Sequence, residues 1–204
     1  MSVEDKTPEA IIEFWIGAAA DDPDIAAGRN GFWYGTDAGH DAVIRENFGG
    51  VLQSIEFGRL LEWGETATGA LALIVVLDQF TRNIHRGKKE AFAHDQLARA
   101  IAVRCVDRGM DRELSIPGRA FAYHPFEHSE EIADQERSIQ LFEQLVTEAP
   151  EAWKGFARGF VGYAYRHHEI IAEFGRFPHR NAVLGRESTA EEKAFLERSS
   201  SFGQ

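Results

Sequence analysis

The protein has 204 residues, of which 44% are hydrophobic and 27% are charged. This composition is typical of a globular protein and excludes a disordered or collagen-like chain. The formal net charge of −11 argues against nucleic acid as a partner, because nucleic-acid-binding domains are usually basic. The single cysteine, Cys105, excludes an internal disulfide and favours a reducing compartment.

The N-terminal residues are polar and acidic, unlike a signal peptide. The longest apolar run, 69–77, is far shorter than the roughly 20 residues that span a bilayer. From these features we expect a cytoplasmic protein that does not contact a membrane.

The hydrophobic pattern predicts helices and almost no strand. Apolar residues recur at helical spacing along most of the chain, whereas no segment alternates apolar and polar residues over six positions. In chain order the predicted helices are 8–16, 38–57, 66–81, 89–108, 125–147, 151–174 and 189–198, with a helical turn near 114–121. The helix 66–81 is apolar on nearly every side, so we expect it to be central.

The segments between these helices are predicted loops, at 17–31 and 175–187. Pro125 is placed at the start of its helix, and Ser188 with Glu191 forms a predicted capping box for the last one. No linker, change in composition or 34-residue repeat divides the chain. We therefore predict a single all-α domain over 1–204 with about eight antiparallel helices and frayed ends at about 1–7 and 199–204.

A first polar segment, 77–87, ends the apolar helix. Asp78 continues the apolar line of Leu71 and Ile74, so it should face the core, where a carboxylate needs a partner. Arg82 lies four residues later on the same face and can supply that partner. The pair is either a structural ion pair or, with Arg82 and Arg86 exposed to a cavity, part of an anion pocket.

A second polar segment, 123–130, contains the pattern H-x-x-E-H, which is a zinc signature in one class of metalloprotease. That signature needs both histidines on one continuous helix. Proline disfavours a helical conformation in the residue before it, so Pro125 should place His124 in a cap or loop. We therefore predict no metal site here.

The helix that is predicted to begin at Pro125 has polar side chains on its inner face. His128, Ile132 and Gln135 follow one another at helical spacing, so the histidine and the glutamine should face the core and need partners. Glu127 falls in the predicted first turn, where a carboxylate interacts favourably with the helix dipole. These acids either cap the helix or contribute to a site.

The helix 151–174 and the third polar segment, 174–181, add further candidates. His167 lies on the same line as Phe160, Ala164 and Ile171, so it should also face inward. The segment 174–181 contains Arg176, His179 and Arg180. These side chains either bind carbonyls in a rigid loop or recognise a carboxylate or phosphate, for which the arginine fork is suited.

Together these segments resemble a bacterial family of unknown function, DUF924. The motifs that carry the resemblance are Leu-Asp-Gln-Phe at 77–80, Arg-Asn-Ile at 82–84, Arg-Gly at 86–87, Pro-Phe-Glu-His-Ser-Glu at 125–130, His167, Phe-Gly-Arg-Phe-Pro-His-Arg-Asn at 174–181, Leu-Gly-Arg at 184–186 and Ser-Thr at 188–189. This chain departs from the family pattern at Thr81, His85 and His124. The resemblance implies an all-α, tetratricopeptide-like helical array or bundle, and it implies no chemistry.

Two functions fit these observations. The first is a pocket for a small anionic molecule, belonging to a hydrolase or transferase that needs no cofactor. Its candidate acid–base residues are Glu127, His128, His167 and His179, and its candidate ligand-binding residues are Asp78, Gln79, Arg82, Asn83, Arg86, Gln135, Arg176, Arg180 and Asn181. The second is a tetratricopeptide-like scaffold that binds a protein or peptide, with the polar segments as structural clamps.

The oligomeric state is open. The aromatic cluster of Phe32, Trp33 and Tyr34 is predicted to be exposed and is a candidate dimer contact.

Overall fold

The protein is helical throughout the part that its computed structural model describes, residues 6–198, and no strand occurs there. The α-helices are α1 (Pro8–Trp15), α2 (Pro23–Gly28), α3 (Asn30–Tyr34), α4 (Ala38–Glu56), α5 (Ala67–Ile74), α6 (Thr81–Ile84), α7 (Asp95–Asp107), α8 (Ile116–Glu127), α9 (Ile132–Glu148), α10 (Lys154–Phe174), α11 (Asn181–Leu184) and α12 (Ala190–Leu196). Short 3₁₀ turns lie at Gly17–Ala20, Leu61–Glu65, Lys89–Phe92, Met110–Glu113, Glu151–Trp153 and Pro178–Arg180. The all-α prediction is confirmed.

Several predicted loops contain short helices, which raises the number of helices above eight. Within the predicted loop 17–31, α2 begins because the Asp22 side chain accepts hydrogen bonds from the backbone N–H groups of Asp24 and Ile25. Asp22 followed by Pro23 is a standard helix start that the sequence analysis missed.

The predicted helix 66–81 is continuous but changes its winding. Between α5 and α6 the chain forms one π-helical segment, Val75–Phe80, in which every side chain is buried. The Thr81 hydroxyl donates to the Val76 carbonyl at 2.9 Å and also contacts the Leu77 carbonyl. π-helical turns are rare and are frequent at functional sites.

The prediction that a helix begins at Pro125 is wrong. Pro125 lies inside α8, and α9 begins seven residues later at Ile132. His124 is therefore helical, and Glu127 is in the last turn of α8 rather than in a first turn. The preference of the residue before proline was overridden by packing, since every residue of 117–127 is buried.

The same error affects the predicted stripe that begins at His128. His128 is the C-cap residue of α8 and does not continue the inner face of α9. Ile132 is exposed, whereas Gln135 is fully buried as expected.

Two further predictions need correction. Trp33 is buried, and its indole N–H donates to the Trp15 carbonyl at 2.8 Å, so it is not an exposed dimer contact. The capping box of the last helix uses Thr189 and Glu192 in place of Ser188 and Glu191. Of the predicted frayed ends at about 1–7 and 199–204, residues 1–5 and 199–204 lie outside the described residues, and Thr7 is the N-cap residue of α1.

One large hydrophobic core joins α1, α4, α5 and the helices from α7 to α10. Aromatic rings form much of it, and Phe121 of α8 packs edge-on against Trp15 and Trp33. No helix within residues 6–198 is both long enough and apolar enough to cross a membrane. The cytoplasmic location stays a prediction.

Candidate functional site

The three polar segments meet at one cleft, which encloses about 90 Å³ and opens to solvent. It lies where the π-helical segment and α6 approach the end of α8, the middle of α10 and the 3₁₀ turn Pro178–Arg180. The lining side chains that the sequence predicted are Gln79, Arg82, Asn83, Arg86, His128, His167, His179 and Arg180. The others lining it are Trp33, Tyr34, Gly35 and Phe92.

Asp78 and His128 form the first of two carboxylate–histidine pairs. Nδ1 of His128 lies 2.7 Å from Oδ1 of Asp78, which is fully buried. The carboxylate also accepts from Gln79 at 2.6 Å and pairs with Arg82 at 3.2 Å. Burial disfavours the charged carboxylate, but His128 and Arg82 outweigh it and hold the pKa of Asp78 well below its usual range.

Glu127 and His167 form the second pair, between α8 and α10. Nδ1 of His167 lies 3.0 Å from Oε1 of Glu127 and 2.9 Å from the Tyr163 carbonyl. Burial alone would raise the pKa of Glu127, but the adjacent His167 lowers it to about 2. The other carboxylate oxygen, Oε2, is buried and has no hydrogen-bond partner in the described chain.

The two pairs have the same chemical logic. A carboxylate that accepts a hydrogen bond from Nδ1 keeps the proton there, so that Nε2 of the neutral ring is a proton acceptor. The rings of His128 and His167 are 6.3 Å apart between centroids, and both line the cleft. Burial lowers the pKa of His128 from its usual value, which favours the neutral ring near pH 7.

The three arginines of the cleft differ in how completely they are paired. Arg86 makes a bidentate contact with Asp41, at 2.7 and 2.9 Å. Arg82 binds both oxygens of Asp95, at 2.9 and 3.3 Å, in addition to Asp78. Arg180 has one hydrogen bond, at 3.2 Å, to the same Asp95 carboxylate.

His179 lines the cleft beside Arg180. Burial and the adjacent guanidinium lower the pKa of His179 to about 3, so the ring is neutral near pH 7. The acid–base role of His179 stays a prediction.

Five predicted site residues do not line the cleft: Asp78 and Glu127, which hold the two histidines, and Gln135, Arg176 and Asn181. Gln135 is behind the cleft wall and donates to the carbonyls of Glu127 and Ser129, both at 2.6 Å, so it fixes the α8–α9 turn. Arg176 and Asn181 both bind Glu192, which ties α12 to the preceding loop. The structure therefore brings neither of these last two to the cleft.

Several side chains that shape the site were not predicted from the sequence. Asp41 and Asp95 lie in the first turns of α4 and α7, and nothing local in the sequence distinguishes them from ordinary helix-start acids. Tyr34 lines the cleft, and its hydroxyl lies 3.2 Å from Nε2 of His124. The Phe32–Tyr34 cluster was the available signal for Tyr34, although it was interpreted as a dimer contact.

The H-x-x-E-H segment is helical, contrary to the argument from Pro125, so His124 and His128 do share one helix face. His124 nevertheless uses Nδ1 on the Ala120 carbonyl at 2.6 Å and Nε2 on Tyr34. Within residues 6–198, no group of three or more histidine, cysteine, aspartate or glutamate side chains is arranged to hold a metal ion.

The sequence at 11–200 matches the family model described as a bacterial protein of unknown function, DUF924. The chain belongs to this family. Its fold is similar to that of a solved structure, a protein of unknown function, ATU0120, from Agrobacterium tumefaciens. The two are 35% identical with a TM-score of 0.79, and the similarity covers 94% of this chain and 97% of that one. No curated protein matches the sequence.

The motifs that define the resemblance to DUF924 supply most of the cleft. Gln79, Arg82, Asn83 and Arg86 come from the first motif, and His128 comes from the second. The segment 174–181 supplies His179 and Arg180 to the cleft and Arg176 to the α12 contact.

Proposed function

We propose that this DUF924 protein binds a small anionic molecule in the cleft and acts on it by proton transfer, as a hydrolase or transferase that needs no cofactor. The observation that carries the proposal is the pair of histidines, His128 and His167. Each is held by a buried carboxylate and lines the same cleft as three arginines.

The two histidines would work as a base and an acid. Nε2 of one neutral ring takes a proton from a water or hydroxyl nucleophile as that oxygen adds to the electrophilic centre of the substrate. The other ring, in its protonated form, gives a proton to the leaving group. Exchange with solvent then restores the starting protonation states. Asp78 and Glu127 would be positioning residues that fix the tautomer and orientation of each ring.

The arrangement supports this proposal over a tetratricopeptide-like scaffold. On the scaffold hypothesis, the polar segments would clamp separate helix ends and need not meet. Here residues 50 positions apart, Asp78 and His128, lie 2.7 Å from each other, and residues of all three segments line one cleft. Small-molecule sites typically combine a concave shape with a few convergent polar groups.

A thermal-shift experiment tests the proposal. Acetate, citrate, inorganic phosphate, pyrophosphate and adenosine monophosphate would each be added to the pure protein at pH 7.5. A probe present at about 100 times its dissociation constant adds about 2.7 kcal/mol of stability. That corresponds to an increase in melting temperature of about 5–10 °C for a chain of this size.

Variants of neighbouring histidines would localise the effect. His167→Asn keeps a donor near the position of Nδ1, facing Glu127, but removes Nε2 from the cleft. His168→Asn, which makes the same change one residue later and outside the cleft, is the matched control. We expect the thermal shift to be lost in the first variant and kept in the second. Equal shifts in both variants, or no shift in the parent protein, would contradict the proposal.

A further inference from the structure

Arg180 is the least compensated charge in the cleft. Its side chain is only 8% exposed, yet its sole hydrogen bond in the described chain runs from Nη1 to Asp95 at 3.2 Å. Nε is fully buried and has no partner among residues 6–198. A guanidinium group carries five N–H donors, and leaving buried donors unpaired is costly. An incompletely paired guanidinium that lines a cleft is therefore suited to bind an anion from solution.

The surroundings of Arg180 hold the guanidinium flat and in place. It lies over the ring of Phe177 at 4.5 Å and over that of Phe92 at 4.6 Å. Asp95, the carboxylate to which it donates, is also bound through both oxygens by Arg82. Burial, with only partial compensation by Asp95, lowers the pKa of Arg180 to about 10. Arg180 therefore stays charged near pH 7 while its charge is only partly neutralised.

The charges around the cleft limit the charge of the ligand. The positive side chains are those of Arg82, Arg86 and Arg180, and the negative ones are those of Asp41, Asp78, Asp95 and Glu127. With the histidines neutral, this set carries one net negative charge. A bound monoanion leaves that net charge unchanged if one proton is taken up, and a dianion if two are, because added uncompensated charge is expensive at a buried site.

We propose that Arg180 anchors a single carboxylate group of the ligand, and that this monoanion binds together with one proton taken up at His128. This inference rests on the proposed function, since it specifies the ligand of the same cleft. A planar carboxylate matches the fork of one arginine side chain. Arg180 is the arginine of the cleft that the carboxylates of the chain leave incompletely paired. A phosphate dianion would need a second such group.

The charged and titratable groups that face His128 come from several elements. They are Asp78 and Arg82 from the π-helical segment and α6, His124 and Glu127 from α8, His167 from α10 and His179 from the turn after it. Burial keeps the pKa of the His128 ring below its usual value in the empty cleft. A carboxylate bound by Arg180, which lines the same cleft, would raise that pKa and lead to proton uptake.

Titration calorimetry on the whole protein tests the ligand class and the proton together. The probes are acetate and benzoate as monocarboxylates, with inorganic phosphate and phenyl phosphate as the matched phosphates, at pH 7.5 and one fixed low ionic strength. Repeating each titration in two buffers of different ionisation enthalpy counts the protons. We expect benzoate to bind at least about tenfold more tightly than phenyl phosphate, with uptake of about one proton. Tighter binding of phenyl phosphate, or no proton uptake, would overturn the inference.

Arg180→Gln locates the anchor, because glutamine keeps a donor for Asp95 and removes the charge. We expect benzoate binding to weaken by at least about tenfold, which is the loss expected for a hydrogen bond to a charged group. Arg112→Gln is the matched control, since Arg112 is 65% exposed and pairs only distantly, at 3.8 Å, with Glu148. If Arg180→Gln does not fold, Arg180→Lys keeps the charge without the fork and should show the same loss.

The outcomes separate this inference from the proposed function. Benzoate binding that is unchanged in Arg180→Gln but lost in His167→Asn would overturn the anchor and leave the anion pocket standing. No binding by any of the four probes would overturn both.

Discussion

Two arginines in the cleft should contribute very unequally to stability, and this contrast can be measured without knowing the ligand. Arg82 donates to the Ala91 carbonyl at 3.1 Å, to both oxygens of Asp95 and to Asp78. Arg180 makes one hydrogen bond, to Asp95. Methionine in either place keeps most of the aliphatic packing and removes the guanidinium group.

Arg82→Met should be strongly destabilising. It leaves the fully buried Asp78 carboxylate with only His128 and Gln79, and it removes the bidentate partner of Asp95. Removing one partner of a buried ion pair costs about 3–5 kcal/mol. At about 2–4 °C per kcal/mol for a chain of this length, the melting temperature should fall by about 10 °C.

Arg180→Met should leave the free energy of unfolding within about 1 kcal/mol of the parent value. The lost hydrogen bond and ring contacts, at about 0.5–1 kcal/mol each, are offset because a poorly compensated buried charge is also removed. Urea denaturation followed by circular dichroism at pH 7.5 measures both variants. A loss of more than about 3 kcal/mol for Arg180→Met, or a loss below about 1 kcal/mol for Arg82→Met, would refute this assignment of roles.

Three other predictions follow from single positions. The pKa of Glu127 falls from 4.5 in the unfolded chain to about 2 in the folded protein. Its contribution to the free energy of unfolding, about 3 kcal/mol, is therefore complete above pH 4.5 and is lost as the pH falls towards 2. Glu127→Gln should remove this dependence when the free energy of unfolding is measured in urea across that pH range. Gly69→Ala should lower the free energy of unfolding by about 1–3 kcal/mol, because a Cβ there would lie 2.1 Å from the Trp63 carbonyl oxygen. Gly159→Ala adds its Cβ in open space and should raise the free energy of unfolding by about 0.5–1 kcal/mol in the same assay. Burial raises the pKa of Cys105 to about 12, so iodoacetamide should label this thiol only in denaturant. Mass spectrometry after labelling at pH 8 measures this, and rapid modification of the native protein would disprove it.

The sequence was most informative where polar residues interrupt an apolar face. Asp78 had to face inward because it continues a buried line, and Arg82 had to be near it because four residues is one helical turn. The burial of His167 followed from the same spacing argument. These inferences depend only on helix geometry, which local sequence determines well.

Helix boundaries were the weaker part of the prediction. Both the start assigned to Pro125 and the exclusion of His124 from a helix relied on a local preference about proline. The free energy of this conformational preference is smaller than the free energy gained by burying the whole segment 117–127. Burial depends on the rest of the fold. Arg176 was predicted to bind a ligand, but it binds Glu192 of α12. This partner depends on where α12 packs, which local sequence does not determine.

The winding of the chain at Val75–Phe80 could not be predicted from composition either. It matters because Asp78 and Gln79 are consecutive, yet Gln79 reaches the cleft while Asp78 supports His128 from behind. The backbone N–H and the hydroxyl of Thr81 both donate to the Val76 carbonyl, five residues earlier, and these contacts accompany the change of winding.

The division of roles among the arginines shows what the sequence alone cannot supply. Arg82, Arg86 and Arg180 look equivalent as residues, and each could bind either a carboxylate of the protein or one of a ligand. Their difference comes from Asp41 and Asp95, which are distant in sequence and saturate the first two while leaving the third incompletely paired. A charge that is buried and only partly compensated lowers stability unless a ligand completes it. Among the residues that the structure describes, Arg180 is therefore the cleft arginine whose charge is least completely matched within the chain.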